Sequence, residues 1–190
     1  MLRRRDVLAA GLLLPLAPRL VLASDDAERL LREGGVVIAF RHAPAPGTFD
    51  PPNFTLGDCR TQRNLNDEGR AQARRIGQWF QARGLLPAAV RSSPWCRCVD
   101  TALLAFGAAE PWPALGSPRG SPERTNADHL QQLRAALVAA STRRGRFEAW
   151  VTHMFVLSDL MQQGSSSGEG LVLRTDAAGA VQVLARLAPA

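Results

Sequence analysis

Two histidines of the sequence follow short apolar runs of the kind that form buried strands. Arg41 and His42 come directly after residues 36–40, and His153 follows shortly after residues 149–151. In open α/β sheets, ligands bind at the carboxyl ends of the strands. We therefore expect both imidazole rings at one edge of a sheet, where a neutral ring nitrogen can act as a nucleophile.

Arginines are expected at the same edge. Arg91 and Arg97 follow a third apolar run, residues 88–90, and Arg41 adjoins His42. Guanidinium groups donate paired hydrogen bonds to oxyanions and stay charged, so the pattern predicts a phosphate site. The cations disfavour a proton on a neighbouring imidazole, which leaves a ring nitrogen able to attack phosphorus. A second histidine, if protonated, would stabilise charge on the transferred phosphoryl group.

Helical and strand-like patterns alternate from residue 24 to the end of the chain. This alternation predicts a three-layer αβα domain with a mainly parallel sheet. The expected strands are residues 36–40, 88–90 and 149–151, with a closing hairpin formed by 171–174 and 181–187. The first expected helix begins at Asp25, and four further helices are expected over residues 67–83, 97–106, 128–140 and 156–163. Residues 43–63 form a long Pro-rich loop, and loops of this length are usually functional.

Four segments of the chain carry a family resemblance. They read FRHA from Phe40, NLNDEGRAQA from Asn64, SSPWCRCVDTA from Ser92 and VTH from Val151. In this order they resemble the four landmarks of the histidine phosphatase superfamily, whose members have the phosphoglycerate mutase-like fold. The resemblance spans most of the chain after residue 23. It implies a single αβα domain and a phosphatase that needs no metal or other cofactor.

The resemblance also implies roles for individual residues. His42 would be the nucleophile that forms a phosphohistidine, and Arg41, Arg97 and His153 would complete the phosphate pocket. Arg97, rather than Arg91, occupies the motif position.

The loop pair that precedes the second landmark is a further candidate. Arg63 and Asn64 lie directly before the expected helix and could contact the phosphate or the rest of the substrate. The alternative is that Arg60 and Arg63 are solvated residues of the loop.

Two departures from the family pattern concern the chemistry. Ala43 stands where the family has a glycine, which reduces backbone freedom but keeps the position small. Ser117 stands where a glutamate would serve as general acid. Glu123 is the expected substitute, with Glu110 and Glu169 as alternatives. A missing acid would restrict the enzyme to good leaving groups, because a poorly stabilised alkoxide leaves slowly.

Residues 1–23 have the features of an export signal. Three arginines at positions 3–5 precede an apolar run from Val7 to Leu16, and short residues suited to cleavage follow at 21–23. Arg4 and Arg5 resemble a twin-arginine signal, and a plain Sec signal is the alternative. We expect residues 24–190 to form the phosphatase domain of an exported, periplasmic protein without a stable membrane span.

The charge of the chain does not indicate a nucleic-acid partner. All 23 basic residues are arginines, and the formal net charge is +6. Without residues 1–23, which hold four arginines and one aspartate, the charge falls to +3. No run of basic residues interleaved with aromatics occurs. A small phosphorylated substrate is the expected partner.

The three cysteines are Cys59, Cys96 and Cys98. Thiols of exported proteins meet an oxidising compartment, so we expect a disulfide from Cys59 to either Cys96 or Cys98, with one thiol left free. Metal ligation by Cys96 and Cys98 is disfavoured because no histidine or cysteine with zinc-site spacing accompanies them.

These features predict an exported phosphatase that hydrolyses a phosphomonoester or a related compound through a phosphohistidine on His42. The alternative is a non-catalytic envelope protein that binds phosphate or another anion and retains the pocket.

Overall fold

Helices and strands alternate along the chain, as the sequence predicts. The computed structural model describes residues 20–118 and 123–188. Within them the strands are β1 (Val36–Arg41), β2 (Ala89–Ser92), β3 (Glu110–Pro111), β4 (Phe147–Thr152), β5 (Gly170–Thr175) and β6 (Val181–Leu187). The helices are α1 (Leu20–Glu33), α2 (Asp67–Gln81), α3 (Cys96–Phe106), α4 (Glu123–Ser141) and α5 (Met154–Met161).

The six strands form one mostly parallel sheet with the order β3-β2-β4-β1-β5-β6. Strand β1 pairs in parallel with β4, which pairs in parallel with β2, which pairs in parallel with β3. The hairpin of β5 and β6 adds two antiparallel strands beyond β1. The expected mainly parallel sheet is confirmed.

Strand β1 is buried on both faces, which explains its unbroken apolar sequence. Val36, Ile38 and Phe40 pack into a core with α1, α2 and α3, whereas Val37 and Ala39 pack into a second core with α4 and α5. Alternate side chains of a strand point to opposite faces of the sheet, so one strand serves both cores. The result is the expected three-layer αβα domain.

Helix starts differ from the expected ones by five residues at two places and by one or two residues at α3 and α5. Helix α1 begins at Leu20, five residues before Asp25, and helix α4 begins at Glu123 rather than at residue 128. Leucine and alanine favour helix in the added turn of α1, and Glu123 places a carboxylate at the positive end of the α4 dipole.

Residues 1–19 of the expected export signal lie outside the described residues. No helix within the described part of the chain is both long and apolar enough to span a membrane.

The segment between β1 and α2 is held against the rest of the domain by local contacts and a disulfide. Asn66 caps α2 by accepting a hydrogen bond from the backbone N–H of Gly69 at 2.8 Å. A Cβ atom on Gly69 would collide with the carbonyl oxygen of Pro44, so a glycine is required here. Cys59 forms a disulfide with Cys96, in the first turn of α3, with a Cα–Cα distance of 5.7 Å.

Three parallel strands end side by side at one edge of the sheet. His42 follows β1, Ser93 follows β2 and His153 follows β4. The backbone N–H of His42 donates to the carbonyl of Thr152 at 2.9 Å, and that of Ser93 donates to the carbonyl of Val151 at 2.8 Å. Parallel pairing therefore continues past the strand ends and brings these residues together.

Candidate active site

A cavity of about 350 Å³ opens at the carboxyl ends of β1, β2 and β4. Its ionisable lining residues are Arg41, His42, Asp50, Arg63, Arg97 and His153. Five of these six were singled out in the sequence, and Asp50 was not.

The rings of His42 and His153 meet edge to face in the lining of the cavity. Their centroids are 5.5 Å apart, and only 4% of His42 and 3% of His153 is exposed. Adjacent parallel strands create this proximity, because β1 and β4 are direct neighbours in the sheet. Residues more than a hundred positions apart in the sequence are thus brought to one site.

Hydrogen bonds define the tautomer of His42. Its Nδ1 lies 2.8 Å from the carbonyl oxygen of Ala43, which can only accept, so Nδ1 carries the proton. The Nε of Arg97 donates to Nε2 of His42 at 3.3 Å. Nε2 is therefore the unprotonated nitrogen, and its lone pair faces the guanidinium group.

His153 is the opposite tautomer and has different partners. Its Nδ1 lies 3.3 Å from Nη2 of Arg97, which can only donate, so Nδ1 is the acceptor. The proton is on Nε2, which donates to Oγ of Ser93 at 2.8 Å. The Ser93 hydroxyl oxygen also accepts from the backbone N–H of Trp95 at 3.3 Å. Arg97 and Ser93 therefore fix the orientation of the His153 ring.

Both histidines are neutral near pH 7. Burial is the main cause that lowers the pKa of His42 to about 3, and Arg97 and Arg41 lower it further, against the opposing effect of the Ala43 hydrogen bond. Burial, followed by repulsion from Arg97, holds the pKa of His153 well below its usual range. The protonated second histidine considered from the sequence is thus disfavoured in this structure.

Arg97 is the central residue of the site. Its side chain is 4% exposed, and each of its three nitrogens has a partner. Nε contacts His42, Nη2 contacts His153, and Nη1 donates to both carboxylate oxygens of Asp50 at 2.9 and 3.1 Å. One guanidinium group therefore links both histidines to a carboxylate.

Asp50 lies in the loop between β1 and α2 and has two further donors. Nε1 of Trp95 donates to its Oδ2 at 3.2 Å, and the backbone N–H of Arg63 donates to its Oδ1 at 2.9 Å. The Asp50 side chain is 10% exposed. The length of the Pro-rich loop marked this segment as functional, but no pattern in it separates Asp50 from the half-buried Asp58, which does not line the cavity.

Arg41 and Arg63 extend guanidinium groups along the cavity wall. Nη1 of Arg41 donates to the carbonyl of Ser165 at 2.9 Å. Nη1 of Arg63 donates to the carbonyls of Ala45, at 2.9 Å, and Gly47. The Nε atoms of both arginines are buried and have no hydrogen-bond partner within the described residues. Burial lowers the pKa of both groups. These donors can serve an anion in the cavity.

Asn64 does not line the cavity. Its side-chain amide donates to the carbonyls of Cys59 and Gln62 at 2.7 and 3.1 Å. This residue therefore supports the loop that carries Arg63 and the disulfide.

None of the expected acids lines the cavity. Glu123 is exposed at the start of α4, and Glu110 is exposed on the edge strand β3. Glu169 pairs with Arg186 at 2.9 Å and accepts from the backbone N–H of Ser166. Glu169 lies beside the carboxyl end of β1, but Arg186 and Ser166 hold its carboxylate.

The remaining thiol, Cys98, is buried next to His153, with its sulfur 3.6 Å from Nε2 of that ring. Burial raises the pKa of this thiol to about 12. Within the described residues, no group of three or more histidine, cysteine, aspartate or glutamate side chains is arranged to hold a metal ion.

Residues 55–116 match the family model of the histidine phosphatase superfamily (branch 1). The match covers about a third of the chain and includes Arg63, the start of α2 and Arg97. His42 and His153 lie on either side of it. A comparison with curated protein sequences gives no significant match.

Solved structures of the histidine phosphatase type share the fold. The protein histidine phosphatase SixA, in complex with tungstate, is 18% identical with a TM-score of 0.53, and the similarity covers 81% of this chain and 97% of SixA. The α-ribazole phosphatase of Shigella flexneri is 12% identical with a TM-score of 0.56 over 79% of this chain and 95% of its own. Phosphoserine phosphatase of Entamoeba histolytica, with 3-phosphoglyceric acid, is 12% identical with a TM-score of 0.57 over 80% and 95%. The phosphoglycerate mutase-like fold expected from the sequence is confirmed.

Proposed function

We propose that this protein is a histidine phosphatase that hydrolyses a phosphomonoester, or a related small phosphorylated compound, through a phosphohistidine on His42. The observation that carries the proposal is the state of His42. Its ring is neutral, its unprotonated Nε2 faces the cavity residue Arg97, and its protonated Nδ1 is held by a carbonyl. This is the state in which an imidazole can attack phosphorus.

In the first step, the hydrogen bond from Nε of Arg97 to Nε2 of His42 is released, which frees the Nε2 lone pair. Nε2 then attacks phosphorus, the N–P bond forms and the bond to the leaving oxygen breaks. The ring becomes positively charged as the bond forms, and the carbonyl of Ala43 stabilises that charge through Nδ1–H. Arg41, Arg63 and Arg97 stabilise the phosphoryl oxygens, on which the negative charge of the transition state is spread. The proposed reaction requires no metal.

In the second step, water attacks the phosphorus of the phosphohistidine. The N–P bond breaks, its electrons return to Nε2, and inorganic phosphate leaves. His153 takes part by holding Nη2 of Arg97 through its unprotonated Nδ1. An immobile guanidinium group is most effective because it needs no reorganisation as charge develops.

We further propose that residues 1–23 are an export signal and that residues 24–190 are the phosphatase domain of a periplasmic protein. The disulfide between Cys59 and Cys96 supports this location, because such bonds persist in oxidising compartments. The cavity suits a small phosphorylated substrate, and the formal charge gives no reason for a nucleic-acid partner.

The second candidate function is anion binding without turnover. One observation favours it, namely that none of the three glutamates considered as general acid lines the cavity. An envelope protein of this kind would bind phosphate through the same arginines and leave His42 unmodified.

The test is turnover of p-nitrophenyl phosphate by the purified protein and by two matched variants. We expect His42→Ala to lower kcat by at least about a thousandfold. His129→Ala, which alters the histidine of α4 away from the cavity, should retain wild-type turnover. Turnover that survives His42→Ala would remove this histidine from the mechanism.

A labelling experiment separates the two candidate functions. After a pulse of substrate with a labelled phosphoryl group and an alkaline quench, the label should stay on the wild-type protein and be absent from His42→Ala. Phosphate binding without turnover or label would instead favour the anion-binding protein.

A further inference from the structure

We propose that Asp50 is the acid–base residue of the reaction, donating a proton to the leaving oxygen and later accepting one from the attacking water. This assignment rests on the proposed phosphatase function. It gives the role of the missing glutamate to a residue from the loop between β1 and α2, far in sequence from the position expected for the acid.

The location of Asp50 is the first argument. Among the described residues that line the cavity, it is the sole carboxylate. Arg97 contacts the nucleophile and Asp50 at the same time, with Nε 3.3 Å from Nε2 of His42 and Nη1 2.9 Å from Oδ1 of Asp50. A phosphoryl group bound by Arg97 next to His42 therefore lies within reach of the carboxyl group.

The second argument is that the position of Asp50 does not depend on Arg97. Trp95 and the backbone N–H of Arg63 each donate a hydrogen bond to the carboxylate. The disulfide between Cys59 and Cys96 joins the same loop to α3, which carries Arg97. The carboxyl group consequently stays at the cavity wall when another anion replaces it as the hydrogen-bond acceptor of Arg97.

The substrate is expected to replace Asp50 on Arg97. A phosphate oxygen and a carboxylate oxygen compete for the same Nη1 donor, and phosphate carries more charge. The proton arrives with the substrate. Phosphate monoesters have a second pKa of about 6, so part of the substrate carries one proton at neutral pH and can pass it to the adjacent carboxylate.

The proton balance closes over one cycle. The substrate monoanion gives its proton to Asp50, and His42 attacks phosphorus as the carboxyl proton moves to the leaving oxygen, which departs as the alcohol. Water then attacks the phosphohistidine and loses one proton to the Asp50 carboxylate. The N–P bond breaks, and the proton leaves with inorganic phosphate or to solvent.

The test compares two substrates that differ in their need for an acid. The nitrophenolate of p-nitrophenyl phosphate leaves without a proton, whereas the alkoxide of benzyl phosphate requires one. We expect Asp50→Asn to lower kcat/KM for benzyl phosphate by about a hundredfold or more and for p-nitrophenyl phosphate by less than about tenfold. Asparagine keeps an acceptor oxygen for one of the two donors, Trp95 or Arg63, and has no acidic proton.

Two further variants complete the experiment. Asp58→Asn makes the same change in the same loop, outside the cavity, and keeps the acceptor oxygen that caps the short 3-10 turn at residues 59–61, so both substrates should react as with the wild type. Asp50→Glu retains a carboxyl group and should recover part of the benzyl phosphate activity.

The outcomes are distinguishable. Equal losses on both substrates would mean that Asp50 only positions Arg97, and they would overturn the assignment, as would the absence of any loss. If the wild-type protein turns over neither substrate and gains no label, the phosphatase function itself is wrong and the assignment falls with it. A selective loss on benzyl phosphate supports the proposal.

Discussion

Both carboxylate oxygens of Asp50 lie within 3.1 Å of Nη1 of Arg97, so the guanidinium group that is best placed to bind phosphate already holds an internal anion. To bind at Nη1, a phosphate ion must displace this carboxylate, and the two negative charges then repel each other. The affinity of the cavity for phosphate therefore contains an opposing contribution from Asp50.

We predict that Asp50→Asn binds inorganic phosphate about tenfold more tightly than the wild type, which corresponds to about 1.4 kcal/mol. The reason is the loss of a competing charge on Arg97. Isothermal titration calorimetry with phosphate measures this directly, and Asp58→Asn is the matched control. Unchanged or weaker binding would show that the carboxylate does not compete.

Arg97→Lys should lower kcat/KM for p-nitrophenyl phosphate by about a hundredfold or more. A lysine carries the charge but has one nitrogen, so it cannot hold Nδ1 of His153 and donate paired hydrogen bonds to phosphate oxygens at the same time. Steady-state kinetics provides the measurement. Arg91→Lys is a suitable control, since Arg91 pairs with Glu110 and Glu148 outside the cavity. Near-normal activity of Arg97→Lys would contradict the central position of this guanidinium group.

The stability of the fold should depend on pH because of the buried histidines. The pKa of His42 is about 3 in the folded protein and about 6.5 in the unfolded chain, so between these values only the unfolded chain binds the proton. The free energy of unfolding should therefore fall as the pH decreases below about 6. His42 contributes a slope of up to about 1.4 kcal/mol per pH unit.

Urea unfolding of the wild type and of His42→Gln at several values of pH between 6 and 4 tests this dependence. The variant should lose the contribution of His42 and show a shallower decline. Parallel curves for the two proteins would mean that the His42 ring accepts its proton within the fold.

The cysteines predict a simple thiol count. The oxidised, folded protein should show no thiol that reacts with Ellman's reagent at pH 8, because Cys98 is buried and its pKa is about 12. Unfolding in guanidinium chloride without a reductant should expose one thiol. Three reactive thiols in the unfolded, oxidised protein would rule out the disulfide between Cys59 and Cys96.

The same disulfide should stabilise the fold. Removing it with the paired substitution Cys59→Ser and Cys96→Ser should lower the free energy of unfolding by about 3–4 kcal/mol, since the bond closes a loop of 37 residues in the unfolded chain. Urea unfolding of the oxidised wild type and of the double variant measures the difference.

The strands that carry the site could be predicted from local patterns. Residues 36–40 form an apolar run that suits a strand buried on both faces, so Arg41 and His42 are expected at its carboxyl end. The same reasoning holds for β4 and His153. Side chains at the ends of parallel neighbouring strands are brought together by the sheet, so local sequence was sufficient for this part.

The loop residues could not be assigned in this way. Asp50 and Asp58 occur in one Pro-rich segment, and Cys96 and Cys98 are two residues apart, so neither pair can be separated by spacing. The cavity-facing carboxylate and the disulfide partner depend on how the loop crosses the sheet edge. Glu123 has a suitable sequence position but is exposed at the start of α4 and does not line the cavity.

By itself, the sequence determined the αβα fold and the gathering of two histidines and several arginines at one sheet edge, because hydrophobic periodicity specifies where strands end. Only the tertiary structure decided that Asp50 is bound to Arg97, that Cys59 pairs with Cys96, and that Nε2 of His42 is the unprotonated nitrogen. The first two features are contacts between side chains of separate segments, and the third depends on the contact of His42 with Arg97, 55 residues away in the sequence. Such contacts follow from the path of the folded chain in space rather than from any local pattern of residues.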